Sequence, residues 1–223
     1  MRKTFIYAGL LLQLYCPGVQ AEDTKESYSF KKEEYGPEIS DFEARLEYAR
    51  LLGVTKNYKA ALEEFEKLLK ENPSSVPVKV EIAKIYYYQK QYDQAIMIIR
   101  QVPLDKLDSE SEMLLGDIYL SKKDYMPAED IFRGLLQKDP GNLPARYKLA
   151  ELYSWQKKYD DSIHEYQILL KKLPNDIQIR RKYGMVLMWM GNYPEAAKQL
   201  EQTLPENAHL QPNPAPVKME NEK

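Results

Sequence analysis

Apolar side chains recur along this chain with a period of about 34 residues. The recurrence is clearest in five tyrosines, which are spaced 34, 33, 34 and 34 residues apart: Tyr58, Tyr92, Tyr125, Tyr159 and Tyr193. A small residue follows each tyrosine after three positions, and a large one follows after seven: Ala61 and Phe65, Ala95 and Ile99, Ala128 and Phe132, Ser162 and Tyr166, Ala196 and Leu200. Intervals of three and four place side chains on one face of a helix. An amphipathic helix is therefore predicted to begin near each tyrosine.

A second set of apolar residues precedes each tyrosine. Its first members are each followed at once by alanine or glycine and, four positions after the first member, by leucine or tyrosine: Tyr48, Ile82, Leu115, Leu149 and Tyr183. Polar breaks such as Thr55-Lys56-Asn57 separate the two sets, and Pro73, Pro140 and Pro174 end the second helix of three units. Each period thus predicts two antiparallel helices. A fixed period of this length indicates a solenoid whose units contact only their neighbours.

The third unit carries the most specific pattern, in which Leu115-Gly116, Tyr119, Tyr125, Ala128, Phe132 and Pro140 occur together. This pattern resembles the tetratricopeptide repeat. The resemblance implies an all-α fold, a right-handed α-solenoid of about five helix-turn-helix units. We place the units at Phe42–Ser75, Val76–Asp108, Ser109–Asn142, Leu143–Asp176 and Ile177–Leu210. The second unit has Pro103 near its end and one residue fewer, so a kink or rotation is expected after it.

The ends of the chain differ in composition from the repeats. Residues 1–21 have Arg2 and Lys3 before an apolar run from Phe5 to Tyr15, and Val19-Gln20-Ala21 suits a signal peptidase. We predict a signal peptide cleaved after Ala21, which directs the chain to the periplasm or the cell exterior. A permanent anchor is disfavoured because a run of 11 residues is too short to cross a bilayer. Lipid attachment at Cys16 is a less favoured alternative.

Two polar segments are predicted to flank the repeats. Residues 22–41 are charged and contain Gly36-Pro37, which indicates an N-terminal tether. Residues 211–223 carry three prolines and indicate a disordered tail. The repeat domain is placed at residues 42–210, with no membrane span after signal cleavage.

Charge and composition narrow the kinds of partner. The chain has 32 basic and 34 acidic residues, and removal of the signal lowers the basic count to 30. Nucleic acid is an unfavourable ligand, because its binding depends on clustered cations. The cysteine lies within the signal, so no disulfide is expected in the mature protein.

Nothing in the sequence has the pattern of an enzyme. The two histidines, His164 and His209, have no mature cysteine to complete a zinc site. No phosphate-binding loop, nucleophile elbow or paired-histidine metal motif occurs. We therefore expect no catalytic residues, metal, cofactor or small-molecule substrate.

The resemblance implies that the first helix of each unit lines a concave groove. The candidate partner-binding residues are those left over by helix packing: Arg50, Lys84, Tyr87, Met113, Asp117, Tyr147, Glu151, Trp155, Arg181, Met185, Met188 and Trp189. The same helical phase adds four further candidates: Leu46, Val80, Leu120 and Ser154. Methionine and aromatic side chains suit the recognition of peptides. Trp155 and Trp189 are 34 residues apart, so packing within the core is an alternative for both.

These features predict a non-enzymatic scaffold or assembly factor of the bacterial envelope that binds a peptide or helix of another protein. A holding chaperone for unfolded or secreted clients is the alternative. The groove charges are of both signs, at Arg50, Lys84, Asp117, Glu151 and Arg181, which favours one chosen ligand. The lysine and asparagine pair with which some family members hold a C-terminal carboxylate is missing, since Leu46 and Arg50 occupy those places.

The last unit leaves two alternatives for the end of the array. Lys198, Glu201 and Gln202 could make its outer face polar, so that the unit caps itself. Otherwise its edge meets a partner or another copy of the chain. Self-capping is the favoured alternative, and self-association through the C-terminal edge is the other.

Overall fold

The computed structural model describes residues 39–205. The predicted signal peptide, most of the predicted tether and the proline-rich tail lie outside the described residues. The chain divides into two units, residues 1–44 and 45–223. In the first unit, Ser40 Oγ accepts from the Glu43 amide at 3.2 Å, while Glu43 Oε2 accepts from the Ser40 amide at 3.0 Å. This reciprocal pair forms a capping box where the first helix begins.

Within residues 39–205 the structure contains ten α-helices and no strand. They are α1 Asp41–Val54, α2 Tyr58–Glu71, α3 Val76–Tyr88, α4 Tyr92–Ile99, α5 Ser109–Lys122, α6 Tyr125–Lys138, α7 Leu143–Trp155, α8 Tyr159–Lys172, α9 Ile177–Met190 and α10 Tyr193–Glu201. Successive helices pair as five hairpins, and every second helix begins at one of the five repeated tyrosines. The all-α prediction of five helical hairpins is confirmed.

The turn inside each hairpin depends on one residue with positive φ. This residue is two positions before the repeated tyrosine in every unit: Lys56, Lys90, Lys123, Lys157 and Gly191. In the first turn the amide of Asn57 donates to the Leu52 carbonyl at 2.8 Å and that of Lys56 to the Gly53 carbonyl at 3.0 Å. This Schellman arrangement satisfies carbonyls at the end of the first helix. Four of the five turns thus place a lysine where glycine is less strained.

The two helices of a hairpin approach closely at their small residues. Ala49 and Ala61 are fully buried in the first hairpin, and Ala150 and Ser162 in the fourth. Ser162 Oγ donates to the Ala150 carbonyl at 2.8 Å, which satisfies a hydroxyl at a position where the other units have alanine. Small side chains at these positions allow the large residue one turn later to fill the seam.

Neighbouring hairpins bury a second apolar row from their first helices. Its members in the second to fifth hairpins are at most 4% exposed: Ile85, Ile118, Leu152 and Val186. A Cβ placed on Gly53 would lie 2.8 Å from Ile85 Cδ1, so the first junction has no space for a larger side chain at residue 53. The second hairpin is the irregular one. Its second helix α4 has 8 residues and is followed by a 3₁₀ turn at Leu104–Lys106, because Pro103 cannot continue a helix.

Candidate functional site

Two of the predicted groove residues meet in a cleft between the first and second hairpins. The cleft has a volume of about 540 Å³, and Arg50, Glu81, Lys84 and Tyr88 contribute to its wall. Arg50 Nε lies 3.1 Å and Lys84 Nζ lies 3.2 Å from the same oxygen, Glu81 Oε1. The two cations are therefore brought together by a carboxylate that the sequence analysis had not placed in the groove.

The two acidic residues predicted for the groove each form an ion pair with a lysine of the next hairpin. Asp117 Oδ1 lies 2.9 Å from Lys148 Nζ, and Glu151 Oε1 lies 2.9 Å from Lys182 Nζ. Burial raises the pKa of the Asp117 carboxyl above its ordinary value, against the opposing effect of Lys148. Since opposite charges neutralise each other along the first helices, the presence of both signs in the groove does not by itself favour one ligand over many.

Sequence reasoning missed the three partners Glu81, Lys148 and Lys182. A signal for them exists in the sequence, because each lies 31 residues after the charge that it meets. That interval is one repeat less about one helical turn. It places each partner on the first helix of the next hairpin, facing the charge with which it pairs.

Tyr147 is partly buried and belongs to the edge of the apolar core. Its ring packs edge to face with Tyr166 at 6.1 Å, and its hydroxyl donates to Glu151 Oε1 at 3.3 Å. Desolvation, with Glu151 adding to it, raises the pKa of Tyr147 to about 12. Met113 and Met185 are also partly buried. These side chains present only part of their surface to a partner.

A row of side chains, four of them exposed and one partly buried, lies at the C-terminal ends of the first helices. It occupies the position four residues before each repeated tyrosine: Val54, Tyr88, Ser121, Trp155 and Trp189. Tyr88 is 60% exposed, and each tryptophan is 48% exposed. The two tryptophans are therefore not part of the buried core. We call Tyr88, Trp155 and Trp189 the aromatic row.

The remaining candidates separate into buried and terminal residues. Four of them are less than 9% exposed because they pack against neighbouring helices, so their prediction as ligand contacts is wrong: Leu46, Val80, Leu120 and Ser154. Tyr87 is partly buried, with its hydroxyl 3.4 Å from Ser121 Oγ. Arg181 donates from Nη2 to the Thr203 carbonyl at 3.1 Å and thus holds the last turn of the array. Met188 lies exposed on the last hairpin.

The described residues show neither a metal-binding cluster nor a membrane-spanning helix. In residues 39–205 no group of three or more histidine, cysteine, aspartate or glutamate side chains is placed to hold a metal ion. No helix among these residues is long and apolar enough to cross a membrane.

Stacked helical hairpins built on one repeated pattern define a helical-repeat protein. Comparison with protein families identifies the kind of repeat. A family model described as Tetratricopeptide repeat matches residues 55–118 and 119–182, which together exceed half of the chain. The chain belongs to the tetratricopeptide repeat family.

Solved structures share this fold at low sequence identity. A crystal structure of MamA protein is 21% identical, with a TM-score of 0.66 over 75% of this chain and 92% of that chain. MamA from Desulfovibrio magneticus RS-1, from residue 41 to its end, is 14% identical, with a TM-score of 0.69 over 78% and 99% of the two chains. YrrB, a TPR protein with an unusual peptide-binding site, is 14% identical, with a TM-score of 0.60 over 71% and 82%. The search of curated proteins gave no significant match.

Proposed function

We propose that this protein is a scaffold or assembly factor of the bacterial cell envelope and binds a peptide or helical segment of another protein along its first helices. Membership of the tetratricopeptide repeat family supports a role in protein–protein interaction. The solved structure of YrrB is that of a TPR protein with a peptide-binding site, which is consistent with this kind of ligand.

The aromatic row is the observation that carries the proposal. Three large aromatic side chains occupy one register position at the ends of α3, α7 and α9, and each is about half exposed or more. Such side chains supply much contact area for little loss of conformational entropy, which is typical of residues that dominate binding energies. Their repetition along the array suits a partner that runs across several hairpins.

The ion pairs between first helices limit the part that charge plays in this recognition. Arg50 is engaged by Glu81, Asp117 by Lys148 and Glu151 by Lys182. A ligand that used these charges would have to compete with the intramolecular pairs. We therefore expect binding to depend mainly on apolar and aromatic contacts and to weaken little with added salt.

The same neutralisation favours the second candidate function, a holding chaperone. A surface that recognises its ligands through exposed aromatic groups, with few free charges to reject wrong partners, suits varied unfolded segments. The two functions use one surface and differ in the number of partners. Location in the periplasm rests on the predicted signal peptide and is tested by cell fractionation.

The test is crosslinking in cells that express the tagged full chain, followed by mass spectrometry. The variant replaces Tyr88, Trp155 and Trp189 by serine, and the exposure of these residues leaves the core unchanged. Its matched control replaces Met97 and Met126 by serine, since both are exposed apolar residues on second helices. Circular dichroism establishes that all three proteins are folded.

One dominant envelope protein, kept by the control and lost from the aromatic variant, is the result expected for a scaffold. Many unrelated clients with the same dependence would identify a holding chaperone instead. If the partners of the aromatic variant match those of the unchanged protein, the aromatic row is not the binding surface.

A further inference from the structure

The first hairpin exposes apolar side chains that every later hairpin buries. Tyr48 is 54% and Leu51 is 62% exposed. The residues at the position of Leu51 in the other hairpins are buried, and so are those at the position of Tyr48: Ile82, Leu115, Leu149 and Tyr183. We call Tyr48 and Leu51 the N-terminal edge. These two side chains thus occupy the positions that form one side of the contact between neighbouring hairpins, but no hairpin precedes them in residues 39–205.

The last hairpin exposes the complementary half. Tyr193 is 67% exposed, whereas the other four repeated tyrosines are partly buried. Leu204 is 42% exposed, and Leu200 is partly exposed although the residues at its position in the other hairpins are at most 1% exposed. We call Tyr193, Leu200 and Leu204 the C-terminal edge. The last hairpin therefore keeps an apolar face.

The junction between the fourth and fifth hairpins shows how two such halves fit together. Tyr183 and Val186, which correspond to the N-terminal edge, belong to one apolar cluster with Tyr166, Tyr159 and Leu170. Those three residues correspond in turn to Leu200, Tyr193 and Leu204 of the C-terminal edge. The position of Tyr183 is again tyrosine at residue 48, so the aromatic group that fits this junction is present at the free edge.

We propose that a second copy of this chain docks its N-terminal edge on the C-terminal edge of the first, so that the solenoid continues from one molecule into the next. A copy of the chain is the occupant because the two faces are the halves of a contact that the chain makes internally four times. The contact is head to tail, and it leaves one free edge at each end of the pair. It does not involve the aromatic row, so it is independent of the proposed ligand.

One such junction is small, and we expect weak association in the micromolar range or above. The test is sedimentation analysis of the processed protein, purified from cells that express the full chain, from about 5 to about 500 µM. Leu51→Glu blocks the N-terminal edge, and Tyr193→Glu blocks the C-terminal edge. Both residues are exposed, so a charge on either leaves the folded monomer intact. Met126→Glu, at a 77% exposed residue away from both edges, is the matched control.

The unchanged protein and the control should show an average mass that rises with concentration without a plateau at the dimer. Each edge variant alone should remain monomeric. An equimolar mixture of Leu51→Glu and Tyr193→Glu should form a one-to-one dimer, since one intact copy of each edge remains. A monomer at every concentration, or association of an edge variant with itself, would overturn the head-to-tail contact.

Discussion

Gly116 lies beside the Phe132 ring in the third hairpin, and its replacement by alanine tests the packing of the repeat. The new Cβ would lie 2.5, 2.8 and 3.1 Å from three ring carbons of Phe132. Ordinary contacts at this position need about 3.4 Å or more, so the ring would have to move by nearly 1 Å. Phe132 is fully buried, so a shift of its ring would disturb the side chains packed around it.

The expected loss of stability follows from two opposing terms. Overpacking a buried site costs about 1–3 kcal/mol, whereas alanine gains about 1 kcal/mol over glycine within a helix. We therefore expect Gly116→Ala to lower the free energy of unfolding by about 1 kcal/mol. Urea denaturation followed by circular dichroism measures the change, with the shift in midpoint compared at constant slope.

Gly184 is the matched control, because it occupies the same position in the fifth hairpin. Its added Cβ would meet Leu200 at 2.8 and 2.9 Å, but Leu200 is partly exposed and can change rotamer. Gly184→Ala should therefore be near neutral. The double variant Gly116→Ala, Phe132→Leu should lose less stability than the two single losses added together. A Gly116→Ala protein as stable as the unchanged one would refute the close approach of these helices.

Two further predictions concern the turns and the ion pairs. Lys157→Gly should stabilise the protein by about 0.5–1 kcal/mol, because the φ of 61° at Lys157 suits glycine. Lys67→Gly, within helix α2, is the control and should destabilise the protein. If the two variants change the melting temperature equally, the turn at Lys157 is not strained. Burial raises the pKa of Asp117, so the folded state binds the carboxyl proton more tightly than the unfolded state does. The stability of the folded protein therefore falls as pH rises from the pKa of Asp117 in the unfolded state to its pKa in the folded state. The stability of Asp117→Asn relative to the unchanged protein should therefore increase from pH 3 upward, measured by urea midpoints; a difference that is constant or falls with pH would contradict it.

The hairpins could be predicted from the sequence because one helical pattern is repeated five times. Each repeat gives independent evidence for the same positions. The small residue at Ala61 and the large residue at Phe65 could match the pattern by chance in one unit, but not at the equivalent positions of all five. The residue with positive φ in the turn of each hairpin was not predicted. In four turns it is a lysine such as Lys56, whose identity gives no sign of a positive φ.

The candidate surface was predicted less well, because exposure depends on neighbours that the period does not identify. Leu46 and Val80 have the helical phase of a groove residue, yet neighbouring helices bury them. Trp155 and Trp189 could be assigned either to the groove or to the core from their spacing, and only packing shows them half exposed. The ion pairs form across hairpins, so a helix considered alone does not reveal them.

The most direct test of the central claim is site-specific photo-crosslinking in cells. A photoreactive amino acid is placed at position 88 or 155 in the aromatic row, and at position 97 or 126 on second helices as a control. We predict that the partner crosslinks from positions 88 and 155 and from neither control position. Crosslinks confined to positions 97 and 126 would contradict the assignment of the first helices as the partner-binding surface.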